Sequence, residues 1–481
     1  MKCFKCNLDR AELSGPFYCC LNCSVVGCWT GDGPHIKSHL NESHPIAMEL
    51  SSGTIYCGVC NLFIWNATMD LLTKCPEVIE NKPPVVSPTK KKKSSKDTAA
   101  PVANTENVNE TLRKHCVTMR GMVNLGNTCF MASVLQVLLH SRQLRNFFLS
   151  CEHNSKTCQR RAQKSANNVC MACELDDLFM TNYCGEIGPF APTQFLHAMW
   201  RSAKNLSGYE QQDAHEFLIS VLGQLHTDLG GSTFACKCPV HSSFTGVLQS
   251  DVTCLSCGNV NASFDPFIDI SLDILGSSSK ESSFMILDPN TSTLNLHECF
   301  QMFTHAEKLS SNTYMCASCN HSYQEATKQL SIRKAPEILT IHLKRFEHSL
   351  NTIKIDTFMQ FPLEFSIFDY TTEGVHLRNE VMKIGSGEMN ANVIDPGYEG
   401  KKYSKDMLYK LVATVNHTGV VDSGHYVSYI ASADQSSWFK FDDAMVTKVP
   451  SSTVLSSNAY MLLYERVGEF PSHPQDDLLE A

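Results

Sequence analysis

A chain of 481 residues, 43% hydrophobic and 19% charged, is long enough for two or three domains with substantial cores. Its net charge of −9 argues against nucleic-acid binding by the molecule as a whole, and no run of 18 apolar residues or signal-peptide pattern marks a membrane span or a secretory leader. The expected setting is intracellular and reducing, so the 23 cysteines are better explained by metal than by disulfides, with zinc the leading candidate.

Residues 1–80 hold 9 cysteines and 3 histidines in a segment too small to dispense with a staple. Cys3, Cys6, Cys20, Cys23, Cys28, His35, His39, His44, Cys57 and Cys60 are candidate zinc ligands, with Cys19 in reserve. The spacing suggests one tetrad of Cys3, Cys6, Cys28 and His35, and a second of Cys20, Cys23, His39 and His44. Cys57 and Cys60 are then two partners short, a gap that Cys19 and Cys75 are candidates to fill.

From Glu80 to Glu110 hydrophobic periodicity is lost in favour of Pro, Ser, Lys and Asn, and residues 81–118 are expected to form a disordered basic linker. Its run Lys90 to Lys93, with Lys96, reads either as a nuclear-import signal or as solvated linker charge.

Residues 119–470 carry a globular pattern. Helical spacing covers 129–149, "QQDAHEFLISVLGQLH" and "TLNLHECFQMF". "EILTIHLKRF", "YKLVATVNH", "GHYVSYIAS" and "WFKFDD" read as strands. Helices early and strands late predict an α+β fold, and the polar stretches 277–292 and 379–406 are expected to be surface loops.

Within this region "CLSC" (Cys254, Cys257) and "CASC" (Cys316, Cys319) make a four-thiolate zinc ribbon if two hairpins meet. Two looser sets are His153, Cys158, Cys170 and Cys173, and His226, Cys236, Cys238 and His241. From spacing alone each is either a metal site or a group of unliganded thiols. Cys116, Cys151, Cys184 and Cys299 have no clustered partners and read as ordinary residues.

Cys129 opens an apolar helical stretch, where the helix N-terminus favours a thiolate, and the preceding "NLGNT" offers Gly126 for a tight turn and asparagine amides for an oxyanion. That stretch alone favours a core cysteine, since a cysteine starting a buried helix is more often core than catalyst. A cysteine protease also needs a histidine to carry the proton and a group to orient it. His425 in "VVDSGHYVSYI" and Asp442 and Asp443 in "WFKFDDAMV" supply both types on what read as neighbouring strands.

"GMVNLGNTCFMASVLQ", "GYEQQDAHEFL" and "LVATVNHTGVVDSGHYVSYI…WFKFDDAMV" together resemble the Cys and His boxes of the ubiquitin-specific proteases. The resemblance implies a papain-like fold of thumb, palm and fingers that hydrolyses the isopeptide bond after the ubiquitin C-terminus. It implies Cys129 as nucleophile, His425 as base, Asp442 as orienting acid and Asn124 as oxyanion donor, with Asp443 beside them. Residues 1–80 resemble a ubiquitin-protease-type zinc finger. The whole is similar to the branch serving the SAGA transcriptional coactivator, which implies zinc at about five to six sites, including both looser sets. It further implies a nuclear protein whose partners are ubiquitin, monoubiquitinated histone 2B and small adaptor subunits that dock the zinc finger against the catalytic domain. Thr30 stands where tail-capturing zinc fingers carry an arginine, which favours adaptor docking over tail binding. A ubiquitin-binding scaffold without activity is the alternative, and no member of the catalytic set is replaced to favour it.

Overall fold

The computed structural model describes residues within 3–64 and 119–467. Outside the described set lie 7–16, 30–34, 50–54, 59–61, 163–168, 184–187, 232–235, 275–293, 349–351, 386–406, a few isolated positions, and both chain ends and 65–118. The expected linker 81–118, the expected loop 277–292, Thr30, Cys60, Cys75, Cys116, Cys151 and Cys184 all lie outside the described residues. The chain forms two compact units, one of residues 1–123 and 139–202, the other of residues 124–138 and 203–481.

In the first unit, β1 (Phe17–Cys20), β2 (Val26–Cys28), β3 (Ile46–Glu49), β4 (Ile55–Cys57) and β5 (Leu62–Ile64) form an antiparallel sheet in the order β2-β1-β3-β4-β5. One small apolar cluster consists of Cys3, Phe17 and Cys28, with Cys6 and Val26 against it. Tyr18, Ile36, Ala47 and Tyr56 are buried as well, yet a segment this short still needs a staple beside its apolar core.

The helix α1 (Cys129–His140) begins in the second unit and ends in the first. Ser141 then takes an extended conformation, so the helical pattern read over 129–149 is two helices, α1 and α2 (Arg142–Leu149). Helix α3 (Met171–Tyr183) packs on α2 through Phe148 and Phe179, stacked with centroids 4.8 Å apart, and Tyr183 donates to the Leu139 carbonyl at 2.8 Å. Helix α4 (Thr193–Ser202) lies against α3.

The second unit adds α5 (Ala214–Asp228), which buries Phe217, Leu218, Val221, Leu222 and Leu225 at helical spacing. The short α6 (Pro239–Phe244) leads into β6 (Gly246–Cys254), β7 (Val260–Phe267) and β8 (Asp269–Asp273). Helix α7 (Leu296–Phe303) starts on a capping box between Asn295 and Glu298. Strands β9 (Glu307–Lys308), β10 (Ala326–Lys334) and β11 (Ile338–Lys344) follow, then α8 (Thr372–Gly385). The chain ends with β12 (Leu408–Val420), β13 (Ser423–Ala431), β14 (Trp438–Asp442), β15 (Met445–Val449), α9 (Ser451–Leu455) and β16 (Ala459–Arg466).

Two sheets organise this unit. The first has the order β9-β10-β6-β7, and the second β15-β14-β13-β12-β16-β11-β8, with Glu364–Ser366 also pairing β12. Only β11 and β8 run parallel in the larger sheet. β16 lies inside it and buries six consecutive residues, Ala459 to Tyr464, as a strand covered on both faces must. Its core includes Ile270, Leu272, Phe300, Ile341, Phe365 and Tyr464.

One sequence expectation is corrected. The stretch from Asn379 was read as loop, but 379–385 is the last part of α8. At the start of this stretch Asn379 donates to Gln329 at 2.9 Å, and the preceding Arg378 donates to Thr304 at 3.1 Å. Among the described residues no helix is long and apolar enough to cross a membrane.

Candidate active site and metal centres

Cys129 is the first residue of α1 and is buried. The turn before it needs left-handed backbone at Gly126 (φ 102°) and Asn127 (φ 54°), which glycine adopts freely and asparagine tolerates. Asn124 organises this turn. Its Oδ1 accepts from Gly126 N at 2.9 Å, Thr128 N at 3.2 Å and Thr128 Oγ1 at 3.2 Å. The amide is thereby oriented so that Nδ2 donates to Asp443 Oδ2 at 2.9 Å. Asn124 itself is solvent-exposed.

His425 and Asp442 lie on the adjacent antiparallel strands β13 and β14. His425 Nε2 meets Asp442 Oδ1 at 2.8 Å, and Lys440 Nζ donates to Asp442 Oδ2 at 2.8 Å. Burial works against the Asp442 carboxylate, but the hydrogen bonds from Lys440 and His425 outweigh it and hold its pKa below the usual value. With Nε2 committed to the carboxylate, Nδ1 is the ring nitrogen left for proton exchange.

Gln211, just ahead of α5, joins the two halves. Its Nε2 lies 3.3 Å from Cys129 Sγ and donates to the Gly424 carbonyl at 2.8 Å, while its Oε1 accepts from Gly424 N at 2.8 Å. One side chain therefore grips the backbone next to His425 and touches the thiol. A Cβ at position 424 would overlap the His417 ring, so this close approach requires glycine. The stretch "GYEQQDAHEFL" contains Gln211 but assigns it no role of its own. An uncharged amide carries no signature of its own, and its partners are 82 and 213 positions away.

Five sets of candidate ligands come together, the potential donor atoms of each lying within 4.8 Å of one another. They are Cys3, Cys6, Cys28 and His35; Cys20, Cys23, His39 and His44; His153, Cys158, Cys170 and Cys173; His226, Cys236, Cys238 and His241; and Cys254, Cys257, Cys316 and Cys319. Tetrahedral zinc with Zn–S bonds of about 2.3 Å sets thiolate sulfurs about 3.8 Å apart. Cys6 and Cys28 are separated by 3.8 Å, Cys158 and Cys170 by 3.8 Å, Cys257 and Cys316 by 3.6 Å, and Cys254 and Cys319 by 4.0 Å. Sulfur to imidazole nitrogen mostly runs shorter, as the shorter Zn–N bond demands: 3.4 Å for Cys3 and His35, 3.6 Å for Cys20 and His44, 3.2 Å for Cys173 and His153, and 3.3 Å for Cys238 and His226, although Cys170 and His153 stand 4.0 Å apart. In type and number these donor sets fit zinc, and the His226 set is the tightest, with Cys236 only 3.1 Å from Cys238 and 2.7 Å from His241. Cys57 is buried at the end of β4, whereas Cys299 sits in the core of the second unit, where burial pushes its thiol up to about 12.

Residues 120–464 match the profile of the ubiquitin carboxyl-terminal hydrolases, and residues 3–68 that of the zinc finger found in ubiquitin hydrolases and other proteins. Over 492 residues the chain is 37% identical to ubiquitin carboxyl-terminal hydrolase 22 of Bos taurus, covering 96% of this chain and 89% of the relative. It is 34% identical to the hydrolase nonstop of Drosophila melanogaster, covering 96% and 90%. A solved SAGA deubiquitinase module of Ubp8, Sgf11, Sus1 and Sgf73 bound to monoubiquitin contains a similar chain, with 29% identity, a TM-score of 0.56 and coverage of 98% and 90%. The same module bound to ubiquitin aldehyde gives 27% identity and a TM-score of 0.57, with the same coverage.

Proposed function

The chain belongs to the ubiquitin carboxyl-terminal hydrolase family and is a deubiquitinase, and from that premise we propose that Cys129, His425, Asp442 and Asn124 carry the reaction. The Cys129 sulfur attacks the carbonyl carbon of the last ubiquitin residue as His425 Nδ1 takes the thiol proton. That proton passes to the departing lysine amine, leaving an acyl-enzyme. Water, deprotonated by the same imidazole, then releases the ubiquitin carboxylate and restores the thiol. Asp442 fixes the ring orientation and stabilises its cationic form. One hydrogen of the Asn124 amide is engaged by Asp443, and the other is available to the oxyanion together with the free N–H groups that open α1. The observation that carries this reading is the continuous link Cys129–Gln211–Gly424 leading into His425–Asp442.

The domain division follows as residues 1–80 zinc finger, 81–118 linker and 119–470 catalytic domain. Five complete zinc sites stabilise the fold, and no step of the chemistry runs through them. The Ubp8-containing modules support a place in a SAGA-type module with adaptor subunits as partners, and we propose with it a nuclear protein whose substrate is monoubiquitinated histone 2B. In the zinc finger, Lys37 Nζ lies 4.7 Å from the Trp29 ring centre and 5.1 Å from that of Tyr56. A finger whose aromatic pair already holds its own cation is suited to docking a protein rather than capturing a ubiquitin tail. Cleavage of histone 2B–ubiquitin by the full chain, with and without adaptors of the kind bound by Ubp8, tests the proposal. Ubiquitin release that depends on the adaptors is expected. Release without them would contradict the module assignment, and no release in either condition would contradict the substrate.

A further inference from the structure

Behind Gln211 the polar side chains close into a ring. Asp213 caps α5 by accepting from His215 N at 2.7 Å, and Tyr460 donates to its two carboxylate oxygens, each at 2.7 Å. The Tyr460 oxygen lies 3.1 Å from His342 Nε2, and His342 Nδ1 lies 2.9 Å from Ser271 Oγ. Ser271 Oγ is 3.0 Å from Asp269 Oδ2, which also meets His215 Nε2 at 3.0 Å. The circuit returns to α5, and the His215 and His342 rings stack at 3.8 Å, only 9° from parallel. It joins the start of one helix to β8, β11 and β16.

Counting protons fixes the direction of this circuit. A carboxylate only accepts, so the single Tyr460 hydroxyl proton goes to Asp213 and the tyrosine oxygen must accept from His342 Nε2–H. Burial, and next the stacked His215, hold His342 down to about 4, so near neutral pH it carries one proton. Nδ1 is then an acceptor, and it competes with Asp269 for the Ser271 hydroxyl proton.

We propose that His342, as its Nε2–H tautomer, and Tyr460 are positioning residues that act through Asp213 to hold Gln211 against the Cys129 thiol and the Gly424 backbone. Neither touches the reacting atoms. Asp213 lies two positions after Gln211, so its tether sets where the Gln211 amide falls, and that amide spans nucleophile and base. Small displacements of such a group cost rate rather than affinity. The proposal rests on the catalytic reading above, and two readouts separate their failures.

The first readout is steady-state hydrolysis of a ubiquitin–fluorophore by the full chain with adaptors. Tyr460→Phe and His342→Leu should each lower kcat about 10-fold with KM within about twofold. The double variant should lose no more than either single, because both act on one chain of bonds. His342→Gln, whose amide can donate to Tyr460 and accept from Ser271, should restore most of the rate. Unchanged kcat in both single variants, with only a lower melting temperature, would overturn the positioning role, and so would losses that multiply.

The second readout needs no hydrolysis. In 15N spectra of the full chain, His342 should show the Nε2–H tautomer, and Tyr460→Phe should shift the side-chain amide signal of Gln211. An Nδ1–H tautomer, or a Gln211 signal indifferent to Tyr460→Phe, would overturn the proposal even in an active enzyme. Those spectral results in a chain that fails to cleave ubiquitin would instead sink the catalytic reading and leave the tether standing.

Discussion

The sheet of residues 17–64 and the larger sheet from β8 to β16 meet the same need by opposite means. In the first, candidate ligands are themselves part of the core: Cys3 and Cys28 cluster with Phe17, and Cys20 is buried as fully as Tyr18, Ile36, Ala47 and Tyr56. In the second, the core runs through Ile270, Leu272, Phe300, Ile341, Phe365, Leu462 and Tyr464, and none of these is a candidate ligand. A short segment lets metal do what burial does in a long one. The difference reaches function, because His425 and Asp442 are aligned by strand register in the sheet that owes its core to apolar residues. Chemistry and metal content should therefore be separable by mutation.

The largest effect should come from His425→Ala. Removing the base should cut turnover roughly 1,000-fold while zinc content and melting temperature stay at wild-type values. A variant that lost zinc along with activity would erase the contrast between the two regions.

Next in size is loss of a single ligand. Cys3→Ala should lower zinc by one per chain and expose residues 17–64 to protease, with the melting of the larger sheet unchanged. Cys316→Ala should also remove one zinc, here at the end of the sheet β9-β10-β6-β7, and should act mainly on stability. Elemental analysis with limited proteolysis reads both. Loss of the catalytic sheet in Cys3→Ala would show that the two cores are not independent.

How much of this was legible beforehand follows the same division. Candidate ligand pairs such as Cys254 and Cys257 lie a few residues apart, so spacing alone brings them to notice, whereas for Cys236 and Cys238 spacing leaves metal and unliganded thiols both open. Cys129 and His425 are related only through the fold. The local stretch around Cys129 favours a core residue over a nucleophile, and the resemblance of the boxes, not any spacing, singles out the pair. Strands β11 to β14 were legible because half-buried strands alternate and central ones run apolar. Gln211, His342 and Tyr460 went unread because nothing local distinguishes a tether from an ordinary polar residue in a helix entry or a strand. The continuation of α8 past Asn379 went unread for the same reason, since Arg378 and Asn379 find partners that only the folded chain brings near.

A smaller effect concerns acid. Burial holds both His342 and His417 down to about 4, helped next by His215 for the first and by Lys354 for the second. In the unfolded chain both return to about 6.5. Between those values the unfolded state binds more protons, so stability rises with pH. The contribution is complete above about 6.5 and is lost as pH falls towards 4. Melting temperatures of wild type and His417→Gln, compared from pH 7 to pH 5, should show a shallower decline in the variant. Parallel declines would mean that His417 is not held neutral by the fold.

The central claim is that Cys129, aligned with His425 through Gln211 and Gly424, is the residue that attacks the ubiquitin C-terminus. A ubiquitin carrying a C-terminal electrophile, incubated with the full chain and adaptors and followed by peptide mapping, tests it most directly. A single adduct on Cys129, absent in Cys129→Ala and greatly slowed in His425→Ala, is the expected result. Labelling of another cysteine, or no adduct with adaptors present, would contradict it.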